Sequence, residues 1–267
     1  MKQRIITGII GVVVLGLIIM SKPVVLSVIV ALVSLMALYE ISYATGFKNK
    51  LPIMMLGLIF SFAASVCLKF APGLVPLLVF TYLASLFVIM LLNKEEIKLA
   101  DIAVMFFISV YVIYTLSHIV SARNLENGML NIILILLGSF ATDTFAYFTG
   151  ITIGKRKLCP EISPKKTVEG AIGGWLGCVV CMAVMGVIVE KTTGLNANYI
   201  GLILLGAITG VAAQVGDLSA SLIKRQYGIK DFGNILPGHG GIMDRLDSII
   251  FVAPVVYYFV VYCPVFN

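Results

Sequence analysis

The chain alternates long apolar runs with short polar segments from one end to the other. Each run is close to the roughly 20 residues that a helix needs to cross a hydrocarbon core of ~30 Å. Because lipid offers no water to bond backbone polar groups, continuous apolar runs of this length predict helices. We predict nine membrane helices, with approximate bounds 5–20, 23–45, 52–70, 74–92, 101–122, 130–152, 168–189, 199–223 and 247–262.

Composition supports this interpretation and sets the fold class. The 267 residues are 60% hydrophobic and 12% charged, with a mean hydropathy of +1.06, which excludes a soluble domain. We therefore predict an all-α, polytopic membrane protein. The first run has no small-residue cleavage site and meets a turn at Ser21-Lys22-Pro23, so we expect a retained helix rather than a cleaved signal peptide.

Basic residues predict the orientation. With a cytoplasmic N-terminus and nine helices, 15 of the 19 Lys and Arg residues fall on the inner side and 4 on the outer side. This is the bias of the positive-inside rule, so we expect the C-terminus outside and a multi-pass protein of the inner (plasma) membrane. The net charge of +6 would face anionic headgroups and solutes. Since no soluble basic domain exists, we expect no nucleic-acid partner; a homodimer is one option.

The predicted organisation has two parts. Residues 1–122 would form N-terminal membrane helices, and residues 123–267 a catalytic membrane region with cytoplasmic loops at 153–168 and 224–246. Chemistry-bearing residues concentrate in the second part. The stretch 221–247 holds four basic residues, three carboxylates and one of the two histidines, between long apolar runs.

A divalent-cation and phosphate site is the interpretation that this stretch favours. Asp217 begins a helical face that continues at Ser221, Lys224 and Arg225. After the loop, Asp244 and Asp247 are spaced to share the face of a helix that begins there. Carboxylates from two helix ends could hold Mg²⁺, which usually takes one or two carboxylates, waters and substrate phosphates. Lys224, Arg225 and Arg245 would neutralise phosphate oxygens, and Gly238, Gly240 and Gly241 would let the backbone approach them closely.

The blander alternatives stay open at this point. Asp217 could form a structural ion pair with a nearby Lys or Arg, and the loop could be a solvated basic segment on lipid headgroups. Two other carboxylates in apolar runs, Glu40 and Asp143, would each face a partner or a wet cavity.

A second basic cluster precedes the seventh predicted helix. Lys155, Arg156 and Lys157 are followed by Ser163-Pro164-Lys165-Lys166. Ser before Pro predicts a helix start at Ser163, and a helix N-terminus carrying two lysines is an anion site. The alternative is ordinary positive-inside charge.

The polar residues resemble a known signature. The pattern Ser221-x-x-Lys224-Arg225, Lys230-Asp231, Pro237-x-His239-Gly240-Gly241 and Asp244-Arg245-x-Asp247 is similar, without departure, to that of phosphatidate cytidylyltransferases, also called CDP-diacylglycerol synthases. The SPKKTVEG and DTFAY segments resemble the same family, so the likeness covers essentially the full length.

The resemblance implies a reaction and roles. CTP and phosphatidate would give CDP-diacylglycerol and pyrophosphate with Mg²⁺, by attack of the phosphatidate phosphate on the α-phosphorus of CTP. By this resemblance Asp217 and Asp244 would hold metal, and Asp247 would support the site. Phosphate contacts would come from Lys224, Arg225, His239 and Arg245. Further substrate-binding candidates are Asp143, Ser163, Lys165, Lys166, Ser221, Lys230, Asp231, Gly240 and Gly241.

Two rival functions belong to other classes. Another CTP-dependent lipid enzyme, similar to a polyprenol kinase, would also need a basic site and would release a phospho-lipid instead of a nucleotide-lipid. A transporter would show repeats and broken helices at the midplane. The chain instead gathers its polar groups at one face without an evident repeat, which argues against transport.

Overall fold

The structure is a computed structural model that describes residue 11 and residues 16–235 and 240–267. Helices account for most of it, with a single short β-hairpin in the described part. We number the elements in chain order: α1 Pro23–Ala44, α2 Leu51–Phe70, α3 Val75–Leu92, α4 Leu99–Arg123, α5 Gly128–Thr152, β1 Lys157–Cys159, β2 Ser163–Thr167, α6 Val168–Thr193, α7 Tyr199–Gln226, α8 Met243–Leu246 and α9 Ile249–Tyr262.

Seven of the described helices are long and apolar enough to cross a membrane, which confirms the polytopic all-α class. Proline sets two helix starts, at the first position of α1 and the second of α2 (Pro23 and Pro52), where its missing N–H costs nothing. The last helix, α9, has 14 residues, fewer than a full span needs. The predicted helix 5–20 lies largely outside the described residues, so the total of nine spans and the orientation of the termini stay predictions.

The chain forms two compact units. The first comprises Met1–Val120 and Tyr227–Arg245, and the second comprises Ser121–Gln226 and Leu246–Asn267. The segment Tyr227–Arg245, which carries the second part of the signature and is called the signature loop below, therefore clusters with the N-terminal helices. The predicted boundary at residue 122 separates regions by function, and the division into compact units does not test it. It therefore stays a prediction.

Buried aromatic and polar contacts hold the helices of the first unit together. The ring of Tyr82 stacks on that of Phe60 at 4.1 Å between centroids. Its hydroxyl hydrogen-bonds with that of Ser109 at 2.8 Å, so the buried phenol is satisfied. An ion pair of 2.6 Å joins Lys50 to Asp101 at the ends of α2 and α4.

Small residues let the helices of the second unit approach closely. A Cβ added at Gly174 of α6 would come 2.7 Å from the carbonyl oxygen of Thr142 and 2.8 Å from the Cβ of Ala146, both on α5. A Cβ at Gly206 of α7 would come 2.8 Å from the Cα of Val179. Helix association in lipid depends on such close packing, so these glycines of α6 and α7 serve helix contact.

Candidate active site

A cavity of about 450 Å³ lies in the second unit, between α5, β2, α6 and α7. One part of its wall is apolar and the other carries two lysines, two carboxylates and one amide. The lining residues are Asp143, Ala146, Tyr147, Gly150, Ile151, Leu158, Lys165, Lys166, Thr167, Gly170, Ala171, Gln214 and Asp217. A pocket that is mostly apolar with a few convergent polar groups is the usual form of a small-molecule site.

The polar part of the wall joins two clusters that are far apart in sequence. Lys166 of β2 forms an ion pair with Asp217 of α7, with 2.5 Å between Nζ and Oδ2. The Ser221 hydroxyl donates to the other oxygen of Asp217 over 3.4 Å. The ion-pair alternative for Asp217 is thus realised, and the pair borders the cavity together with Lys165. Both clusters therefore contribute to one site.

The predicted helix start at Ser163-Pro164 is wrong. These residues begin β2, which pairs antiparallel with β1 through Lys157↔Thr167 and Cys159↔Ser163. The helix begins at Val168, where the Thr167 side chain caps it by accepting the N–H of Gly170 at 3.1 Å. Thr167 satisfies an orphan donor of the first turn that Ser163 is too far away to reach. Lys165 and Lys166 consequently lie on a strand that leads into the helix.

Glu169 fixes the start of this hairpin. Its carboxylate accepts the backbone N–H of Lys155 at 3.0 Å and that of Arg156 at 3.1 Å. The carbonyl of Arg156 in turn accepts the N–H of Val168 at 2.9 Å. The segment before β1 is thereby bound to the first turn of α6, which positions the strand that carries the two cavity lysines.

A third carboxylate adds negative charge beside Asp217. Burial raises the pKa of Asp247 to about 7, and repulsion from Asp217 and Asp143 acts in the same direction while Lys224 opposes it. The Ser248 hydroxyl donates to Asp143 over 3.2 Å. Repulsion among the three carboxyl groups thus favours the protonated form of Asp247, and Lys224 offsets part of that repulsion.

The two basic residues at the end of α7 differ in exposure. Lys224 is only 8% exposed, and its ammonium group acts on Asp247 from inside the unit. Arg225 is exposed, and its Nε donates to the carbonyl of Ile162 in the turn between β1 and β2 at 3.2 Å. Lys224 therefore offsets negative charge of the carboxylates, whereas Arg225 binds the hairpin to α7.

The signature loop of the first unit is organised around Asp244. Oδ2 of this buried carboxylate accepts the N–H of Phe232 at 2.9 Å and that of Gly241 at 3.0 Å. Gly240 has φ +83°, a left-handed conformation that favours glycine, and a Cβ there would come 3.1 Å from the same oxygen. The loop is thus folded onto the carboxylate that the resemblance assigns to metal binding.

Other predicted loop residues lie at the surface of this unit. Lys230, Asp231 and Arg245 are exposed. His239 lies outside the described residues, so its role as a phosphate contact stays a prediction. The expectation that Asp244 and Asp247 share one helix face is wrong, because α8 ends at Leu246 and Asp247 lies in a turn before α9.

The donor chemistry around Asp217 fits a hard divalent cation. Carboxylate oxygens of Asp217 and Asp143 border the cavity, and both are hard ligands. Among the described residues no group of three or more His, Cys, Asp or Glu side chains forms a closed metal cage. Magnesium bound through one or two carboxylates, waters and substrate phosphates needs no such cage.

Two lining residues were not anticipated from the sequence. Gln214 lies three residues before Asp217 and its amide donates to the carbonyls of Ala171 and Gly210, both at 3.1 Å. A lone amide in an apolar helix, one turn from a carboxylate, is the signal that could have identified it. Tyr147 follows Asp143 by one helical turn and lines the apolar part of the cavity.

Comparison with known proteins identifies the family of the chain. The profile of the cytidylyltransferase family matches residues 2–263. A phosphatidate cytidylyltransferase of Bacillus subtilis is 33% identical over 269 residues, which is 97% of each chain. The enzyme of the same name from Thermotoga maritima is 38% identical over 55% of each chain. That from Synechocystis is 43% identical over 54% of this chain and 48% of its own. The chain therefore belongs to the cytidylyltransferase family.

Proposed function

We propose that this protein is a phosphatidate cytidylyltransferase, which transfers CMP from CTP to phosphatidate and releases CDP-diacylglycerol and pyrophosphate. The observation that carries the proposal is the similarity to the Bacillus subtilis enzyme along 97% of both chains. A kinase-like lipid enzyme and a transporter are not favoured, because the family match also covers the whole polytopic region.

The cavity of the second unit suits the lipid substrate. Lys165 and Lys166 give it a cationic part that would hold the phosphate of phosphatidate. Tyr147 and Ile151 line its apolar part and are 63% and 62% exposed. The apolar wall thus continues onto the outer surface of α5, where acyl chains in the bilayer would lie. The cationic and apolar parts of the cavity together favour phosphatidate bound with its phosphate at the two lysines and its acyl chains along α5.

In the reaction, an oxygen of the lipid phosphate forms a bond to the α-phosphorus of CTP. The bond between that phosphorus and the oxygen leading to the β-phosphorus breaks, and its electron pair leaves with pyrophosphate. Two anions must be held together, so positioning and charge compensation are the main requirements. Lys165 and Lys166 would orient the attacking phosphate. Lys224 would limit the repulsion among the carboxylates.

Magnesium would be held by Asp217 and Asp244, an assignment that rests on the family resemblance, and would supply positive charge to the phosphate oxygens. Ser221 would keep the Asp217 carboxylate in place, and Asp143 would take part in substrate binding. His239, Arg225 and Arg245 would contact phosphates of CTP. We further propose that this chemistry takes place on the cytoplasmic side of the membrane, where CTP is available and where 15 of the 19 Lys and Arg residues are predicted to lie.

The test is the identity of the lipid product. Purified protein in detergent micelles would be incubated with phosphatidate, Mg²⁺ and CTP labelled in the cytosine ring, and in parallel with CTP labelled at the γ-phosphate. We expect the cytosine label to enter the lipid phase and the γ-label to appear in pyrophosphate. A lipid that carries the γ-label would indicate a kinase, and no labelled lipid with either substrate would refute the proposal.

A further inference from the structure

A buried carboxylate outside the cavity contacts the signature loop. Glu40 lies one turn before the end of α1 and is only 3% exposed. Its Oε2 accepts the N–H of Met243 at 2.9 Å, across 203 residues of sequence. The neighbouring amide of Ile242 interacts favourably with the same carboxylate. An ionised group within an apolar helix is costly to bury, so it is normally retained for a specific partner.

Two glycines make room for this carboxylate. A Cβ built on Gly233 would come 2.7 Å from Cδ of Glu40, and a Cβ built on Gly241 would come equally close. No other side chain fits at either position without displacing the carboxylate. The close approach of Gly241 in this structure is therefore to Glu40, although the sequence assigns this glycine to phosphate binding.

Glu40 and Asp244 fix the same short stretch of backbone. Asp244 accepts the N–H groups of Phe232 and Gly241, and Glu40 accepts that of Met243, the first residue of α8. The segments around residues 232 and 242 are thus bound to each other through Asp244 and to α1 through Glu40. Asp244 cannot change its orientation without breaking hydrogen bonds that Glu40 helps to hold in register.

We propose that Glu40 is a positioning residue of the cytidylyltransferase reaction, which holds the signature loop so that Asp244 keeps its working orientation. Its Oε1 is buried and has no hydrogen-bond partner among the described residues, so the loop backbone does not fully satisfy this carboxylate. The inference rests on the proposed function, because it assigns Asp244 a part in turnover. Removing partners that orient the ligands of a functional site typically lowers activity by about 10- to 100-fold.

Four variants test the proposal: Glu40→Ala, Glu40→Asp, Glu40→Gln and the control Ser42→Ala, which alters a fully buried hydroxyl on the same helix. Gln keeps the length and an acceptor for Met243, whereas Asp keeps the charge but withdraws the acceptor by one methylene. We expect kcat to fall about 10- to 100-fold in Glu40→Ala and Glu40→Asp. Gln and the control should stay within a few-fold of wild type, and the KM for CTP should change little throughout.

A double-mutant cycle distinguishes positioning from a general loss of stability. Gly233→Ala alone should lower kcat, because its Cβ meets the Glu40 carboxylate. In the Glu40→Ala background that obstacle is gone, so the second substitution should cost much less than it does alone. The cycle uses kcat per folded protein, with folding checked by size-exclusion profile and thermal denaturation in detergent.

The outcomes separate this inference from the proposed function. If wild type forms no CDP-diacylglycerol, the function fails. If wild type is active and Glu40→Ala stays within two-fold of it, the inference fails while the function stands. If Glu40→Asp is as active as wild type and Glu40→Gln is as impaired as Glu40→Ala, the charge itself is required and the positioning role is overturned. If the Glu40→Ala variant does not accumulate, the comparison of kcat between Glu40→Asp and Glu40→Gln decides whether the inference stands.

Discussion

The ion pair between Lys166 and Asp217 predicts that the two cavity lysines contribute unequally to lipid binding. Lys165 borders the same cavity, and within the described part of the chain it has no ion pair. To bind a phosphate, Lys166 must first give up part of its contact with Asp217, whereas Lys165 has no such contact to lose. Replacing each lysine by Met, which keeps the apolar stem and removes the charge, should reveal the difference.

The expected magnitudes follow from the geometry. A hydrogen bond to a charged group contributes about 1.5–3 kcal/mol. Loss of Lys165 should therefore raise the apparent requirement for phosphatidate by about 10- to 150-fold. For Lys166 the partly exposed pair with Asp217, at 29% and 24% side-chain exposure, offsets about 1 kcal/mol of this. The remaining effect is about 0.5–2 kcal/mol, or about 2- to 30-fold.

The assay is the initial rate in detergent micelles, with phosphatidate varied as a mole fraction at saturating CTP and CTP varied at saturating phosphatidate. Lys157→Met is the matched control, because Lys157 lies exposed on the same hairpin and does not line the cavity. A larger effect for Lys166 than for Lys165 would refute the reasoning from the ion pair. A change in the CTP dependence alone would show that the cavity lysines serve the nucleotide.

Three further predictions follow from the structure and the sequence. Asp217→Asn and Asp244→Asn should each nearly abolish turnover in protein that still inserts and purifies, because each removes a proposed metal ligand. The measurement is product formed per folded enzyme over a range of Mg²⁺ concentrations. Near-normal activity would exclude that residue as an essential ligand. Gly174→Ala should lower the free energy of unfolding by about 1–3 kcal/mol, because the added Cβ meets a backbone carbonyl of α5. Gly73→Ala should not lower it, because a Cβ added there has open space around it. Thermal denaturation in detergent compares the two variants, and equal melting temperatures would contradict the packing argument. Cys159, on the hairpin beside the cavity, should react with an impermeant thiol reagent only from the cytoplasmic side, and labelling from outside in intact cells would overturn the predicted orientation.

The sequence by itself determined the class of fold and the approximate bounds of the described membrane helices. A helix in lipid must satisfy its backbone internally and needs about 20 apolar residues, so hydropathy alone locates it. The polar residues around Asp217 and Asp244 likewise indicated a functional site, because so many polar residues in an apolar chain are costly unless they function. Their resemblance to a known signature indicated the family.

Only the tertiary structure decided which polar groups meet. Ser163-Pro164 has the local signal of a helix start, but these residues pair with β1, and the helix begins only after Thr167, whose side chain caps it. The pairing of Lys166 with Asp217 and the contact of Glu40 with Met243 join residues 51 and 203 positions apart. Sequence spacing gives no information on such contacts, since they arise from how helices pack after each has formed.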